Sequence, residues 1–391
     1  MNPRPHTLSI LLVALAARLL VLWVVIAHYP HNWLYGRGIE LGTLAQSVAT
    51  GHGLSSPFGG ATGPTALLAP GYPLFIAAFF RLFGAFSHDA AVAVMLVQLC
   101  FSLLTVLLIV NLSHLLFGAV AANLAGLFWA VSPPLIWMPT IFWETCLSTL
   151  LLTGMIAIAM RPAQDSGVLS GAYAALAGLV NPALLPPLLA ILGWMAWQQW
   201  KVRRGYLPSA LLVFCLIYAA WPLRNAHALH AVVLTRSTVG LELWMGNHPG
   251  GHGFLEEALF PTFNRQEYDR YAALGEMAYM REKSVAAEAY VGAHPMDFLR
   301  LSLLRVWRFW TGTGNQDGSI LFAWHAVLTS VLGLAGIWRL IATRRARVAA
   351  LFSLPLIAFP LPYYITHAEF RYRLVIDPLL TILAAHCAEK S

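Results

Sequence analysis

The sequence predicts an all-α, polytopic membrane protein, and two observations support this prediction: the composition and the apolar segments. The 391 residues are 59% hydrophobic and only 10% charged, with a mean hydropathy of +0.67. The surface of a soluble domain needs far more charge than this. Several apolar stretches approach the roughly 20 residues with which a helix crosses a bilayer. The composition therefore excludes soluble globular classes.

The apolar segments predict a bundle of about ten transmembrane helices. The clearest predicted spans are Thr7–Ala27, Ala90–Ser113, Ala119–Val131, Thr145–Met160, Leu207–Trp221, Ile320–Leu340 and Val348–Tyr363. The first is kept as a span because it is longer than a usual signal core and has no clear small-x-small cleavage site. Gly167–Trp200 is interrupted by Asn181-Pro182, which predicts two short spans joined by a turn. Leu374–Cys387 is the last apolar stretch.

Basic residues predict the topology. The two basic clusters are Lys201/Arg203/Arg204 and Arg344/Arg345/Arg347. Under the positive-inside rule, both clusters face the cytoplasm if Gly71–Phe83 lies at the outer surface and does not span the membrane. Glu40, Glu144 and the Arg371-Tyr372-Arg373 triplet then all reach the outer side. The net charge of +7 is explained by this topology, so no nucleic-acid partner is predicted.

Three regions follow from the segment pattern. Residues 1–223 are expected to form a transmembrane module, which carries the candidate catalytic residues described below and a first outer loop at 28–88 with surface helices. Residues 224–318 form an extracytoplasmic loop with short helices, and 319–391 form the carboxyl-terminal transmembrane helices. The four cysteines lie in or beside apolar segments and have neither metal-site nor disulfide spacing.

Glu40 is the first candidate catalytic residue. Acids are scarce, since ten of the seventeen Asp and Glu residues fall between Glu242 and Asp317, whereas Glu40 stands alone just after the first span. The glycines and prolines of residues 51–73 permit tight turns and stiffen them, so this loop can hold a carboxylate in fixed geometry. The alternative is a solvated loop acid paired with Arg37.

Glu144 is a second isolated acid, in the sequence Phe142-Trp143-Glu144-Thr145. In the catalytic interpretation it positions an acceptor or joins Glu40 at a metal ion, although two carboxylates alone are a weak metal signal. The alternative is that it caps the helix beginning near Thr145, because an acid suits a helix N-terminus.

Outer-side arginines are candidate phosphate ligands, because a guanidinium offers forked donors and keeps its charge. Arg224 follows a predicted span, and Arg371 and Arg373 precede the last apolar stretch. The alternative for each is snorkelling to the membrane interface. Gly246–Gly253 is a polar, glycine-rich loop with candidate sugar or phosphate contacts, or else a connecting turn. Arg18 within the first span is expected to face the bundle interior.

Several sequence blocks together carry a family resemblance. They are Glu40-x3-Leu44-Ala45-Gln46-Ser47, Gly51-His52-Gly53, Pro70-Gly71-Tyr72-Pro73-Leu74, Trp143-Glu144-Thr145, Asn181-Pro182, Pro222-Leu223-Arg224-Asn225, Gly246-Asn247-His248-Pro249 and Glu369-Phe370-Arg371-Tyr372-Arg373. In this order the chain resembles the C-type (GT-C) lipid-donor glycosyltransferases. Within them it is most similar to the bacterial branch related to protein O-mannosyltransferases and aminoarabinose transferases.

The resemblance implies a GT-C bundle and transfer of a sugar from a polyprenyl-phosphate donor to an acceptor hydroxyl, on the extracytoplasmic face of the inner (plasma) membrane. Glu40 matches the catalytic acid and Glu144 the second loop acid. Arg224, Arg371 and Arg373 are the expected donor-phosphate ligands, and Tyr72, Asn247 and His248 the expected substrate-binding residues. Family members usually carry Asp, or an acidic pair, where Glu40 stands. No metal ligands are therefore predicted, and a divalent metal ion is left open as a cofactor.

Attack from the face opposite the phosphate predicts inversion at the anomeric carbon. Two other function classes compete with a transferase. A transporter or lipid flippase would place ionisable residues at mid-membrane and often shows repeated halves; no internal repeat is visible here. A non-catalytic scaffold would be insensitive to replacement of Glu40. The sugar, the acceptor and the prenyl length are not predicted.

Overall fold

The fold is helical throughout the part of the chain that the structure describes. The structure is a computed structural model, and it describes residues 4–29, 38–161, 166–313 and 320–388. Within these ranges the extended chain contributes one isolated antiparallel bridge, between Ser55 and Pro64. Arg37, the predicted alternative partner of Glu40, lies outside the described residues.

Twenty α-helices follow one another along the described residues. The first ten are α1 (Thr7–His28), α2 (Ile39–Ala49), α3 (Gly71–Phe83), α4 (His88–Phe117), α5 (Ala119–Val131), α6 (Pro133–Trp137), α7 (Thr145–Ala159), α8 (Val168–Val180), α9 (Leu185–Gln199) and α10 (Tyr206–Tyr218). The others are α11 (Ala220–Leu229), α12 (Val239–Gly246), α13 (Arg265–Leu274), α14 (Glu276–Ala293), α15 (Pro295–Thr311), α16 (Ile320–Ala342), α17 (Ala346–Ala358), α18 (Leu361–Ile365), α19 (Phe370–Arg373) and α20 (Asp377–Ala388).

Five helical stretches among the described residues are long and apolar enough to cross a membrane, and they confirm the polytopic helical class. They are Thr7–His28, His88–Phe117, Tyr206–Leu229, Ile320–Ala342 and Ala346–Ile365. The pair Ala119–Val131 and Pro133–Thr140 makes a sixth if the two, bent by 61°, form one broken span. Helices α3, α7 and α8 are apolar but shorter.

The centre of the bundle lies where α4 and α20 meet their neighbours. α4 packs on α1, α5 and α7, and α20 packs on α16 and α5. Arg18 of α1 points into this bundle, where its Nε donates to Ser102 Oγ (2.7 Å) and its terminal nitrogens donate to carbonyls near the end of α5. These bonds supply the partners that a charged group needs at membrane depth.

The predicted break at Asn181-Pro182 is present and has a clear local cause. Asn181 caps the turn after α8, because its side-chain oxygen accepts from the backbone N–H of Ala183 (3.1 Å), as capping asparagines do. Its Nδ2 donates to Ser148 Oγ of α7 (3.1 Å). The turn is thereby fixed against the start of α7.

A compact layer of short helices lies beside the bundle and holds the segment that follows α2. Glu276, at the start of α14, accepts from the backbone N–H of Ala66 (2.7 Å), from the hydroxyl of Thr65 and from Tyr271 Oη (2.8 Å). Leu67 joins Tyr271 and other buried residues of α12–α14 in a small apolar core. The glycine-rich segment after α2 is therefore anchored at its far end.

Candidate active site

One open cavity is lined by several charged side chains from the bundle and from the short helices. Its volume is about 640 Å³, including the space at its mouth. Its polar lining consists of Glu40, Glu144, Thr145, Asn181, Arg236, Thr238, Glu242, His367 and Arg371. Its less polar lining consists of Leu67, Leu68, Trp143, Leu255, Phe260, Tyr363, Tyr372 and Val375.

Glu40 enters the cavity from the first turn of α2, where it is half-buried. Gly38 explains the close approach of this helix to the segment before α7, because a Cβ there would lie 2.9 Å from Phe142 Cδ1. Burial raises the pKa of the Glu40 carboxyl to about 7, and its own backbone amide and Arg371 limit the rise. A carboxyl with this pKa exchanges a proton near neutrality, as a general base must.

Glu144 reaches the same cavity from the N-terminus of α7. It occupies the N-cap position, yet its side chain makes no capping hydrogen bond to the helix. Instead Arg236 Nη2 donates to Glu144 Oε1 (3.1 Å). Both side chains are partly exposed, so the pair lies at the cavity wall.

Arg371 lies between an aromatic wall and a carboxylate. Its guanidinium carbon is 4.4 Å from the centroid of the Trp143 ring, and its Nε donates to Glu369 Oε2 (2.5 Å). Although burial opposes the charge, Glu369 and the other nearby acids raise the pKa of the Arg371 guanidinium. The cavity therefore keeps a permanently charged, aromatic-supported guanidinium.

Glu242 and His367 form a second acid–base pair in the lining. Glu242 Oε2 lies 3.0 Å from His367 Nδ1, and His367 Nε2 lies 2.9 Å from Tyr372 Oη. Burial opposes both charges, but each partner compensates the other: the pKa of His367 is raised and the pKa of Glu242 is lowered. The pair is thus held as imidazolium and carboxylate.

Arg224 and Arg373, the other two predicted phosphate ligands, lie outside the cavity lining and bind protein groups. Arg224 donates to the carbonyls of Thr65 and Leu54, each at 2.7 Å. Arg373 is fully buried, forms an ion pair with Asp377 and donates to the Ala326 carbonyl (2.9 Å). Their contacts anchor helices and the segment after α2.

The three predicted substrate-binding residues also lie outside the lining. Tyr72 is buried in α3 and donates to Gln98 Oε1 (3.0 Å). Asn247 is buried and donates to the carbonyls of Leu243 and Ile365. His248 Nε2 lies 3.0 Å from Glu256 Oε1. Each is engaged within the protein fold.

Three charged lining residues were not among the sequence candidates: Arg236, Glu242 and His367. Glu242 had a usable signal, because it is a lone acid inside an otherwise apolar helix, α12. Arg236 and His367 stand in stretches without a motif, and their partners lie far away in sequence. Pairing across such distances is visible only once the chain is folded.

The residues of this cavity do not fit a metal site. Across the described ranges, no three His, Cys, Asp or Glu side chains form a group able to hold a metal ion. Two of the four lining carboxylate and imidazole groups are already paired with each other, and Glu144 is paired with Arg236.

Comparison with known proteins places the fold. No family profile and no curated protein sequence matches this chain. The crystal structure of the Archaeoglobus fulgidus oligosaccharyltransferase in its apo form aligns with a TM-score of 0.55 and 14% identity. The alignment covers 97% of this chain and 50% of that one, so this chain spans about half the length of that enzyme.

Two further structures are similar at low identity. The same archaeal enzyme, AglB, in complex with an inhibitory peptide and a dolichol-phosphate aligns with a TM-score of 0.53 and 14% identity, over 97% of this chain and 50% of that chain. ArnT from Cupriavidus metallidurans bound to undecaprenyl phosphate aligns at 0.43 and 13% identity, over 98% and 78%. The likeness to AglB confirms the predicted fold, a helical membrane bundle of the GT-C kind.

Proposed function

We propose that this protein is a membrane glycosyltransferase that moves a sugar from a polyprenyl-phosphate donor to an acceptor hydroxyl, with inversion at the anomeric carbon. The observation that carries the proposal is the combination of Glu40 with two guanidinium groups, Arg236 and Arg371, on one cavity. The fold shared with AglB, a structure of which holds a dolichol-phosphate, supports a lipid-linked donor.

Glu40 acts as the general base in this proposal. Its carboxylate takes the proton of the acceptor hydroxyl while the acceptor oxygen forms a bond to the anomeric carbon. The bond from that carbon to the phosphate oxygen breaks, and the polyprenyl phosphate leaves with the electron pair. A base positioned within hydrogen-bond reach typically contributes about 10²–10⁴ in rate.

Arg236 and Arg371 stabilise the departing phosphate. Both guanidinium groups line the cavity, whereas Arg224 and Arg373 are bonded to protein carbonyls and, for Arg373, to Asp377. Forked donors suit phosphate oxygens, and a partly dry site strengthens their effect on developing charge. Glu144 orients Arg236 through their ion pair and, in this proposal, positions the acceptor.

The reaction takes place on the extracytoplasmic side of the inner membrane in this proposal. The basic clusters at residues 201–204 and 344–347 face the cytoplasm under the positive-inside rule. The cavity joins α2, which follows the first span, to the segment that precedes α20. A sugar exported on its lipid carrier would reach the cavity from the bilayer.

The test is an assay in membranes with radiolabelled polyprenyl-phosphate sugars. Glu40→Gln keeps the shape of the side chain and removes the base, so transfer is expected to fall by about 10²–10⁴. Glu288→Gln is the matched control, because Glu288 is an exposed acid on α14 that does not line the cavity. Transfer by Glu40→Gln at the control's rate, at equal protein level, would remove Glu40 from the mechanism.

A further inference from the structure

Helix α15 has two faces of opposite character. Its inner face buries Leu301, Arg305 and Phe309. Its outer face exposes four large apolar side chains, which are 48–72% accessible: Met296, Leu299, Leu303 and Trp307. Their spacing of three and four residues places them in one stripe along the helix. We call these four residues the α15 stripe.

The helix that carries the α15 stripe packs against a candidate membrane span. α15 packs against α16, one of the five long apolar helices. At its start α16 exposes Ile320 (73%) and Trp324 (67%). A contiguous exposed apolar patch marks an interaction surface, and Trp is enriched where membrane meets water.

A positive charge borders the stripe. Arg300 is exposed between Leu299 and Leu303 on the same helix. An amphipathic helix with basic residues beside its apolar face is suited to lie in the membrane interface, because the apolar side chains enter lipid and the cations meet headgroup phosphates.

The inner face of α15 is hydrogen-bonded to two segments that lead to the cavity. Arg305 donates to the carbonyl of Gly246 and to Asn247 Oδ1 (3.0 Å) at the end of α12, which carries Glu242. It also donates to the carbonyl of Ile365 (3.3 Å), two residues before His367. The helix that carries the apolar stripe is therefore bonded to the segments that carry Glu242 and His367.

We propose that α15 lies in the membrane–water interface on the side of the cavity, with the α15 stripe in lipid and Arg300 among the headgroup phosphates. The bilayer is the occupant, since α15 packs directly against α16, a helix long and apolar enough to cross it. The evidence for this placement of α15 does not depend on the transferase activity proposed above.

The test measures contact between the stripe and lipid directly. Cys100, Cys215 and Cys387 are replaced by Ala, and the buried Cys146 is kept. Leu303→Cys is then labelled with an environment-sensitive fluorophore, in full-length protein reconstituted in vesicles of phosphatidylcholine and phosphatidylglycerol. Spin-labelled lipids with the quencher at a shallow or at a deep acyl position are added.

The expected result is a blue-shifted emission for Leu303→Cys that is quenched more strongly by the shallow than by the deep spin label. Leu299→Cys, one turn away, is expected to behave alike. Arg265→Cys is the control, because the Arg265 side chain on α13 is 81% exposed, and it should stay unquenched. Two outcomes overturn the proposal: quenching at the control's level, or blue-shifted emission without lipid quenching, which would mean that protein covers the stripe.

Discussion

Arg236 donates a hydrogen bond to Glu144 across 92 positions of sequence, with Nη2 at 3.1 Å from Oε1. This pair joins the segment before α12 to the N-terminus of α7 and forms part of the cavity wall. The contacts of Glu144 also differ from those that a capping side chain makes. The residue stands at the N-cap, but its carboxylate binds a guanidinium and not the helix amides.

The first prediction concerns this pair. Arg236→Gln should lower transfer about 10²-fold, the usual cost of removing one charge-stabilising donor from a reaction site. Kinetics with a radiolabelled lipid-phosphate donor measure the loss. Arg265→Gln, a change of the same type at an exposed arginine of α13, is the control. Equal kinetics for the two variants would show that Arg236 has no part in donor binding or transfer.

The second prediction is a pH dependence. Because burial raises the pKa of Glu40 to about 7, the carboxyl is protonated below that pH and cannot accept a proton. The logarithm of kcat/KM should therefore rise with unit slope as the pH approaches about 7, and level off above it. The slope should vanish in whatever residual activity Glu40→Gln retains. A wild-type profile that is flat through this range would contradict the assignment of Glu40 as the base.

The third prediction separates two neighbouring arginines. Arg371→Lys should reduce transfer while changing the unfolding temperature little, because Lys loses the planar fork and the support of the Trp143 ring. Arg373→Leu should instead destabilise the protein by about 3–5 kcal/mol, because it leaves Asp377 buried without its cation. Thermal unfolding in detergent and transfer kinetics, measured on both variants, check this. The opposite pattern would return Arg373 to the phosphate site.

The fourth prediction concerns the backbone contact beside the second acid–base pair. A Cβ at Gly246 would overlap the carbonyl oxygen of Thr366, whereas a Cβ at Gly193 in α9 would meet nothing within 4 Å. Gly246→Ala should therefore cost about 1–3 kcal/mol of stability, and it should separate Glu242 from His367.

Gly193→Ala is the matched control for this contact, and it should be neutral or stabilising by roughly 0.5–1 kcal/mol. Thermal unfolding of both variants is the measurement. If the two variants unfold at the same temperature, α12 does not pack tightly against the segment at residues 365–367.

Hydropathy was sufficient to predict most of the bundle. The predicted span Ala119–Val131 coincides with α5, and the predicted break at Asn181-Pro182 separates α8 from α9. Helix formation at membrane depth depends on local composition, because each backbone polar group must be satisfied within its own segment. Among the short helices of residues 224–318, α13 and α14 are separated at Gly275, whose φ of 77° ends α13 and begins α14. One glycine was thus enough to divide a periodic segment.

The candidate site was only partly predictable. Glu40, Glu144 and Arg371 could be selected because isolated charges beside membrane need a reason, and all three line the cavity. Arg224 was selected by the same logic, yet it donates to the carbonyls of Thr65 and Leu54, which lie 159 and 170 positions away. The sequence shows the position of an arginine along the chain, but not which distant carbonyl accepts its hydrogen bonds. That choice is made by tertiary packing.

Arg305 connects α15 to the two segments that carry Glu242 and His367. Arg305 is buried on the inner face of α15, and its guanidinium donates to the carbonyls of both Gly246 and Ile365. If the bilayer sets the position of α15 along the membrane normal, a thicker or thinner membrane shifts Arg305. The distance between Glu242 and His367 then changes with it. The lipid composition of the bilayer would then change the rate of turnover through α15, independently of how the donor binds in the cavity.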